Sequence, residues 1–221
     1  MSGSPKPSTL DWDLANLPGG IVWGGVDEAG RGAWAGPVVA AAVALDRETA
    51  KKWRSVLGKA RDSKTLAPEK RSAMAMELKA VLPSWSASIV DNRAIDRDNI
   101  LEATKAAMRQ AIRELTIVPA LVLIDGNHAP GSGLRERTLV DGDAISCAIA
   151  SASILAKAYR DELMVALDSV YPEYGFAKHK GYGTKAHQAA IMQHGPCPIH
   201  RMSYRPLREV AEGANTEGEP R

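Results

Sequence analysis

The chain has 221 residues, 45% hydrophobic and 24% charged, with a formal net charge of +2. That is enough for one large domain with a real core, and it excludes a chain too polar to fold. Its two cysteines, Cys147 and Cys197, form no CxxC pair, which sets zinc ligation aside. Together with an N-terminus lacking a secretory signal and no apolar run of the ~20 residues a membrane span needs, they point to a cytoplasmic protein with reduced thiols and no membrane partner.

Residues 1–18 are rich in Ser, Pro and Gly and read as a flexible segment; 19–209 form the folded unit, and 210–221 a flexible acidic tail. Ile21–Asp27 reads as a strand and Val38–Leu45 as a second, joined by the glycine-rich turn AGRGAWAGP. Pro68–Leu82 has helical character, with Pro68 suited to the first turn. Trp85–Val90 alternates apolar and small polar residues and suits a strand. Asn99–Leu115 carries Ile100, Ala103, Ala107, Ile112 and Leu115 near one helical face. Ala120–Asp125 is a short apolar run typical of a strand buried on both faces. Ser146–Leu167 reads as a long Ala- and Ser-rich helix, and Thr184–His194 as another. Adjacent strands followed by alternating strands and helices imply an α/β protein with a mixed sheet. Residues from about 171 to 209 form a helical appendage.

The chemistry-bearing residues sit at strand ends. Asp27 and Glu28 close the first strand, and Asp125 closes the buried strand ALVLID. Aspartate is a poor strand former. For Asp125 alone, shaping the following turn is an equally good explanation. The Asp27–Glu28 pair is harder to dismiss, because adjacent carboxylates repel unless cations neutralise them. Hard oxygen ligands suit Mg²⁺ or Mn²⁺, and carboxylates gathered at one sheet edge can hold one or two metals against a phosphate. Asp143 and Asp161 compete for a fourth position. They are 18 residues apart, roughly 27 Å along a continuous helix, so both cannot serve one site. Asp143 begins the helix near the sheet edge and is preferred, although helix capping is its plain alternative. Asp141 remains open.

Gly30-Arg31-Gly32 follows the acidic pair. It lacks the Gly-Lys-Ser/Thr of a phosphate loop, and Gly36 falls one residue late for a dinucleotide fingerprint. Glycines here permit close backbone approach to a ligand, or simply a tight turn. Farther on, Ala177–Arg208 carries six Lys or Arg, four His and no acid, whereas Glu209–Arg221 has a net charge of −3. An acid-free basic run with Tyr182 and Tyr204 interleaved favours a surface for phosphates over a merely solvated face.

These residues resemble bacterial ribonuclease HII, the type 2 ribonuclease H family. The matching stretches are GVDEAGRGAWAGPVVAAAV (25–43), DSKTL (62–66), LIDGN (123–127), GDAISCAIASASILAKAYRD (142–161) and YPEYGFAKHKGYGT (171–184). The resemblance implies an RNase H-like fold, a five-stranded mixed sheet flanked by helices with a C-terminal helical part over the substrate. It implies a metal site at Asp27, Glu28, Asp125 and Asp143, and so Asp143 rather than Asp161. It implies cleavage of the RNA strand of RNA–DNA hybrids and incision at single ribonucleotides in duplex DNA, giving 3′-hydroxyl and 5′-phosphate ends. Gly30, Arg31 and Gly32 are then candidates to read a 2′-hydroxyl, and Tyr182 resembles the family tyrosine that stacks on the neighbouring deoxyribose. Lys178, Lys180 and Lys185, with Ser63 and Lys64 as secondary candidates, would contact phosphates. Asp141 departs from the family, where the position before Gly142 is often basic. Another metal nuclease on the same fold, or a non-catalytic nucleic-acid binding module, are the competing readings. A monomer is the default expectation.

Overall fold

The computed structural model describes residues 8–60 and 66–216, with side chains to 210; Ser63 and Lys64 lie outside the described residues. The centre of the molecule is a five-stranded sheet: β1 (Trp23–Ala29), β2 (Val38–Leu45), β3 (Ser84–Val90), β4 (Leu121–Asp125) and β5 (Glu136–Leu139), in the order β3-β2-β1-β4-β5. β2 runs antiparallel to both β1 and β3, with Val26 opposite Ala42 and Ala41 opposite Ala87. β4 runs parallel to β1, with Val26 opposite Ile124, and β5 parallel to β4. All eight residues of β2 are buried. Its sequence VVAAAVAL explains why: β-branched residues suit the pleat, and alanines leave room for helices on both faces.

Two helices form those layers. α6 (Ile100–Arg113) lays Ala103, Ala107, Ala111 and Ile112 against one face, with Val26, Ala42 and Ile124. Asn99 begins it, accepting from the N–H groups of Leu101 and Glu102. α7 (Cys147–Val170) covers the other face, with Trp23, Ala41, Val43 and Leu123. It approaches so closely that a Cβ on Gly25 would stand 2.2 Å from the carbonyl carbon of Ala148. Helix and strand therefore touch backbone to backbone, and only glycine fits. α4 (Pro68–Val81) packs behind α7 through Ala75 and Leu78. Short helices α2 (Arg47–Lys52), α3 (Arg54–Leu57) and α5 (Asn92–Asp98) have no counterpart in the sequence reading, being too short and polar to show an apolar period.

The segment expected to be loose up to residue 18 instead contains α1 (Thr9–Asn16), with Leu10 and Leu17 buried in the core. Ser8 caps it, accepting from Asp11 N–H. The Ser/Pro-rich start masked a TLDWDLAN helix whose apolar face has a partner in the main core. The C-terminal part has a 3-10 turn at Pro172–Tyr174, then α8 (Phe176–His179), α9 (Lys185–His194) and α10 (Arg205–Thr216). Tyr174, Phe176, Ile191 and Leu207 form its own core, joined by Ala35 and Met164. α10 runs through 210–216, so that part of the expected acidic tail is helical. Among the described residues no helix is long and apolar enough to cross a membrane.

Candidate active site

β1 and β4 are parallel neighbours, so their C-terminal ends lie at the same edge of the sheet. In β1 and β4, Trp23, Gly25, Leu121 and Leu123 face α7; strand alternation puts Asp27 and Asp125 on that face too, and Glu28 on the opposite one. β1 runs on to Ala29, so the acidic pair lies in its last turn rather than at its terminus. Glu28, Arg31, Asp125, Asn127 and His128 line one small crevice against α6.

The carboxylates are anchored by few donors. Asp27 is 5% exposed; its carboxylate accepts from Glu28 N–H at 2.7 Å and from the Ser153 hydroxyl of α7. Asp125 accepts from Gly142 N–H at 2.8 Å. That bond ties β4 to the 3-10 turn Gly142–Ala144, which holds Asp143, 7% exposed, beside it. Asp143 does not begin α7 as expected. A separate turn intervenes, and Ser146 caps the helix by accepting from Ile149 N–H. Asp141 enters that turn with a left-handed backbone, φ 53°. Asp161 lies away from the cluster in an ion-pair network, 2.7 Å from Arg71 and 2.6 Å from Lys157.

Burial pushes the Asp27 carboxyl well above the usual range, and the charges of Glu28 and Asp125 add to the rise. Glu28 is also raised by burial, with Arg31, 3.4 Å away, pulling against it. Among the described residues, no three acidic, His or Cys side chains are already drawn close enough to grip an ion. The donor set is nonetheless all carboxylate, the chemistry a hard divalent cation takes. A cation between these groups would reverse the repulsion that holds the Asp27 carboxyl up. The residues fit such a cation.

The glycine-rich turn is clamped from beneath by two arginines that the sequence reading missed. Arg160 of α7 is fully buried and donates to the carbonyls of Pro37, Ala35 and Lys180 at 2.9–3.1 Å. Arg201 is also fully buried and donates to the carbonyls of Gly36 and Arg31 and to the Tyr204 hydroxyl. Gly30, with φ +97°, passes over Arg160 where a Cβ would collide with the guanidinium. The carbonyls of this turn therefore point inward, while Arg31 and Gly32 lie exposed. Tyr182 is half-buried, its ring 5.4 Å from Lys157 Nζ and 5.5 Å from the Arg160 guanidinium carbon.

Of the expected phosphate contacts, Lys178 and Lys185 are exposed. Lys180 is half-buried, and its ammonium donates to the Ala177 carbonyl. The only prior signals for Arg160 and Arg201 were an Arg inside an otherwise small-residue helix and an acid-free C-terminal run. Neither signal tells a buried clamp from a solvated charge.

The family model described as Ribonuclease HII matches residues 24–206. A protein named Ribonuclease HII from Chlorobium phaeovibrioides is 50% identical over 189 residues, 83% of this chain and 90% of that protein. Its namesake from Albidiferax ferrireducens is 46% identical over 211 residues, covering 96% and 97%. Among solved structures, ribonuclease H2 from Pyrococcus horikoshii superposes with a TM-score of 0.77 at 25% identity, over 88% of this chain and 99% of that one. Bst-RNase HIII in complex with Mn²⁺ has a TM-score of 0.70 at 19% identity, over 98% of this chain and 77% of that one, a likeness of fold.

Proposed function

The chain belongs to the ribonuclease HII family, a metal-dependent ribonuclease H acting on RNA–DNA hybrids, and from that premise we propose that it also incises beside single ribonucleotides in duplex DNA, with Asp27, Glu28, Asp125 and Asp143 as the metal ligands. The single observation that carries the site is the Asp27 carboxylate, buried beside Glu28 and Asp125 at the shared edge of β1 and β4 and pushed toward protonation by that burial and then by their charges. Family membership sets aside the non-catalytic binding module.

Two divalent cations, Mg²⁺ or Mn²⁺, would supply an activated water and positive charge for the leaving 3′-oxygen. The chain's own residues do the rest. Ser153 and the Glu28 N–H orient Asp27. Gly142 N–H orients Asp125. Gly30-Arg31-Gly32 follows Asp27 and Glu28 directly, and a sugar against that turn lies beside the carboxylates. Among the described residues the N–H groups of Arg31 and Gly32 have no protein acceptor, which supports their reading a 2′-hydroxyl. Tyr182 offers a ring face to the neighbouring deoxyribose, and Lys178 and Lys185 offer exposed charge to phosphates.

Asp125→Asn keeps the shape and removes a charge. It should abolish most turnover on both a hybrid and a duplex with one ribonucleotide, while hybrid binding survives. Near-normal cleavage would remove Asp125 from the site. Wild-type cleavage of the hybrid but not of the single-ribonucleotide duplex would leave the family activity and remove the incision.

A further inference from the structure

Beneath the Tyr182 loop lies a group of histidines that the proposed chemistry does not use. His187 and His200 are 0% and 1% exposed. Their Nε2 atoms stand 3.0 Å apart. His179 stacks on His187 with ring centres 4.4 Å apart. Phe176 presents to all three, and Trp34 of the glycine-rich turn lies 5.8 Å from His187. Such a setting excludes charge, and burial pushes both His187 and His200 down to about 4.

With neutral rings, one assignment of protons satisfies every contact except that of His200 Nδ1 with the Cys197 carbonyl. His187 Nδ1 faces the Tyr182 carbonyl at 3.0 Å, so it carries the proton and donates. Its Nε2 is then a bare acceptor. His200 must therefore donate from Nε2, which leaves its Nδ1 bare to accept from Cys197 N–H at 2.9 Å. The opposite tautomer of His200 would donate to the Cys197 carbonyl at 3.2 Å, but it would need His187 to be charged. His179 donates from Nε2 to the Tyr174 carbonyl at 2.7 Å and accepts at Nδ1 from Gly181 N–H at 3.2 Å. Its own carbonyl accepts from Tyr182 N–H at 2.9 Å. The Tyr182 carbonyl is thus held by the His187 ring together with Thr184 N–H at 2.8 Å, and the turn before Tyr182 is held by the His179 ring through Gly181 N–H.

We propose that His187 and His200 are positioning residues whose tautomer-locked chain sets the peptide plane after Tyr182, while the stacked His179 ring fixes the turn before it through Gly181 N–H, and that together they set the angle at which the Tyr182 ring meets the substrate sugar. The inference rests on the reading of Tyr182 given above. It assigns these rings neither metal binding nor proton transfer. Three bonds run in series, from Cys197 N–H through His200 and His187 to the Tyr182 carbonyl. The loop after α9 and the loop before it therefore move as one.

Two measurements test it. Long-range ¹H–¹⁵N spectra of the intact protein should show the Nε2–H tautomer for His179 and His200 and the Nδ1–H tautomer for His187. An Nε2–H His187 would overturn the chain outright. The second measurement compares His187→Asn, whose amide nitrogen stands near the place of Nδ1 and can still donate to the Tyr182 carbonyl, with His187→Leu, which cannot. On a duplex with one ribonucleotide, the Leu variant should raise KM about tenfold with kcat within about twofold, and the Asn variant should stay within about threefold of wild type in KM. Equal losses in both variants, or losses in kcat alone, would make His187 a packing residue only. Tyr182→Ala serves as the reference. Its losing discrimination while His187→Leu does not sinks the inference alone. Its losing nothing sinks the reading of Tyr182 and the inference with it.

Discussion

The two halves of α7 hold buried charge in opposite ways. Around its first turns stand Asp13, Asp27 and Asp143, all buried; this is the end where a helix dipole favours anions. Asp13 accepts from Ala148 N–H, yet its carboxyl is raised to about 7 by burial. Asp27 is also raised well above the usual range, by burial and by two acidic neighbours. In the second half, Arg160 lies fully buried beside Arg201, with no carboxylate among its hydrogen-bond partners, and backbone carbonyls absorb both guanidinium groups. The basic cluster is nearly complete in itself, with only Arg201 Nη2 lacking a partner. In the acidic one, burial raises the carboxyls of Asp13 and Asp27, and Asp27 also faces the charges of Glu28 and Asp125. Charge that the fold satisfies serves as structure, and charge set against its own neighbours is where a ligand would do its work.

The largest effect expected from this contrast is functional. Asp27→Asn should cut turnover about a thousandfold, yet raise the melting temperature of the metal-free protein, because the buried site no longer has to accept an ionised group. A lower melting temperature would mean that Asp27 is structurally satisfied, and the contrast would fail. Next comes Arg201→Leu, which leaves the Gly36 carbonyl without its guanidinium donor and the Arg31 carbonyl with the Tyr204 hydroxyl alone. It should cost about 3 kcal/mol in urea unfolding; a cost below about 1 kcal/mol would show that the turn holds itself.

A pH-dependent effect sharpens the acidic side. The raised native pKa of Asp13 means that the folded state keeps a proton the unfolded chain has lost. Ionisation therefore destabilises the fold as pH rises from about 4 to about 7. Asp13→Asn should match wild type near pH 4 and exceed its stability by on the order of 4 kcal/mol at pH 8. A difference independent of pH would remove Asp13 from the group of strained acids. Smallest is the solvated surface. Lys178→Ala should flatten the salt dependence of duplex binding by about one unit, with all sequences weakened alike. An unchanged slope would leave that lysine a solubilising charge.

How much of this could be read from the chain depends on how far each signal reaches along it. Val38–Leu45 and the other long apolar elements declare their type by period and composition, and their bounds differ from the observed ones by no more than a few residues. The carboxylates were legible because acids at the ends of apolar strands violate a local rule. β5, with the sequence ERTL and neither end residue buried, has no pattern of its own; it is a strand only because β4 offers an edge. Arg160, Arg201, His187 and His200 were illegible as site architecture, since their roles come from carbonyls and rings supplied by distant segments. Arg160, for instance, meets carbonyls 123 and 125 residues earlier in the chain.

The parallel pairing of β1 with β4 also carries a consequence for how the protein is made. Val26 and Ile124 meet across about 100 residues of intervening chain, so the central pair closes late and at a high entropic cost. Asp27 and Asp125 become neighbours only when it does. A cation therefore has little to grip in the folding transition state if that pair is still open. Its stabilisation should lengthen the lifetime of the folded protein and leave the refolding rate almost untouched.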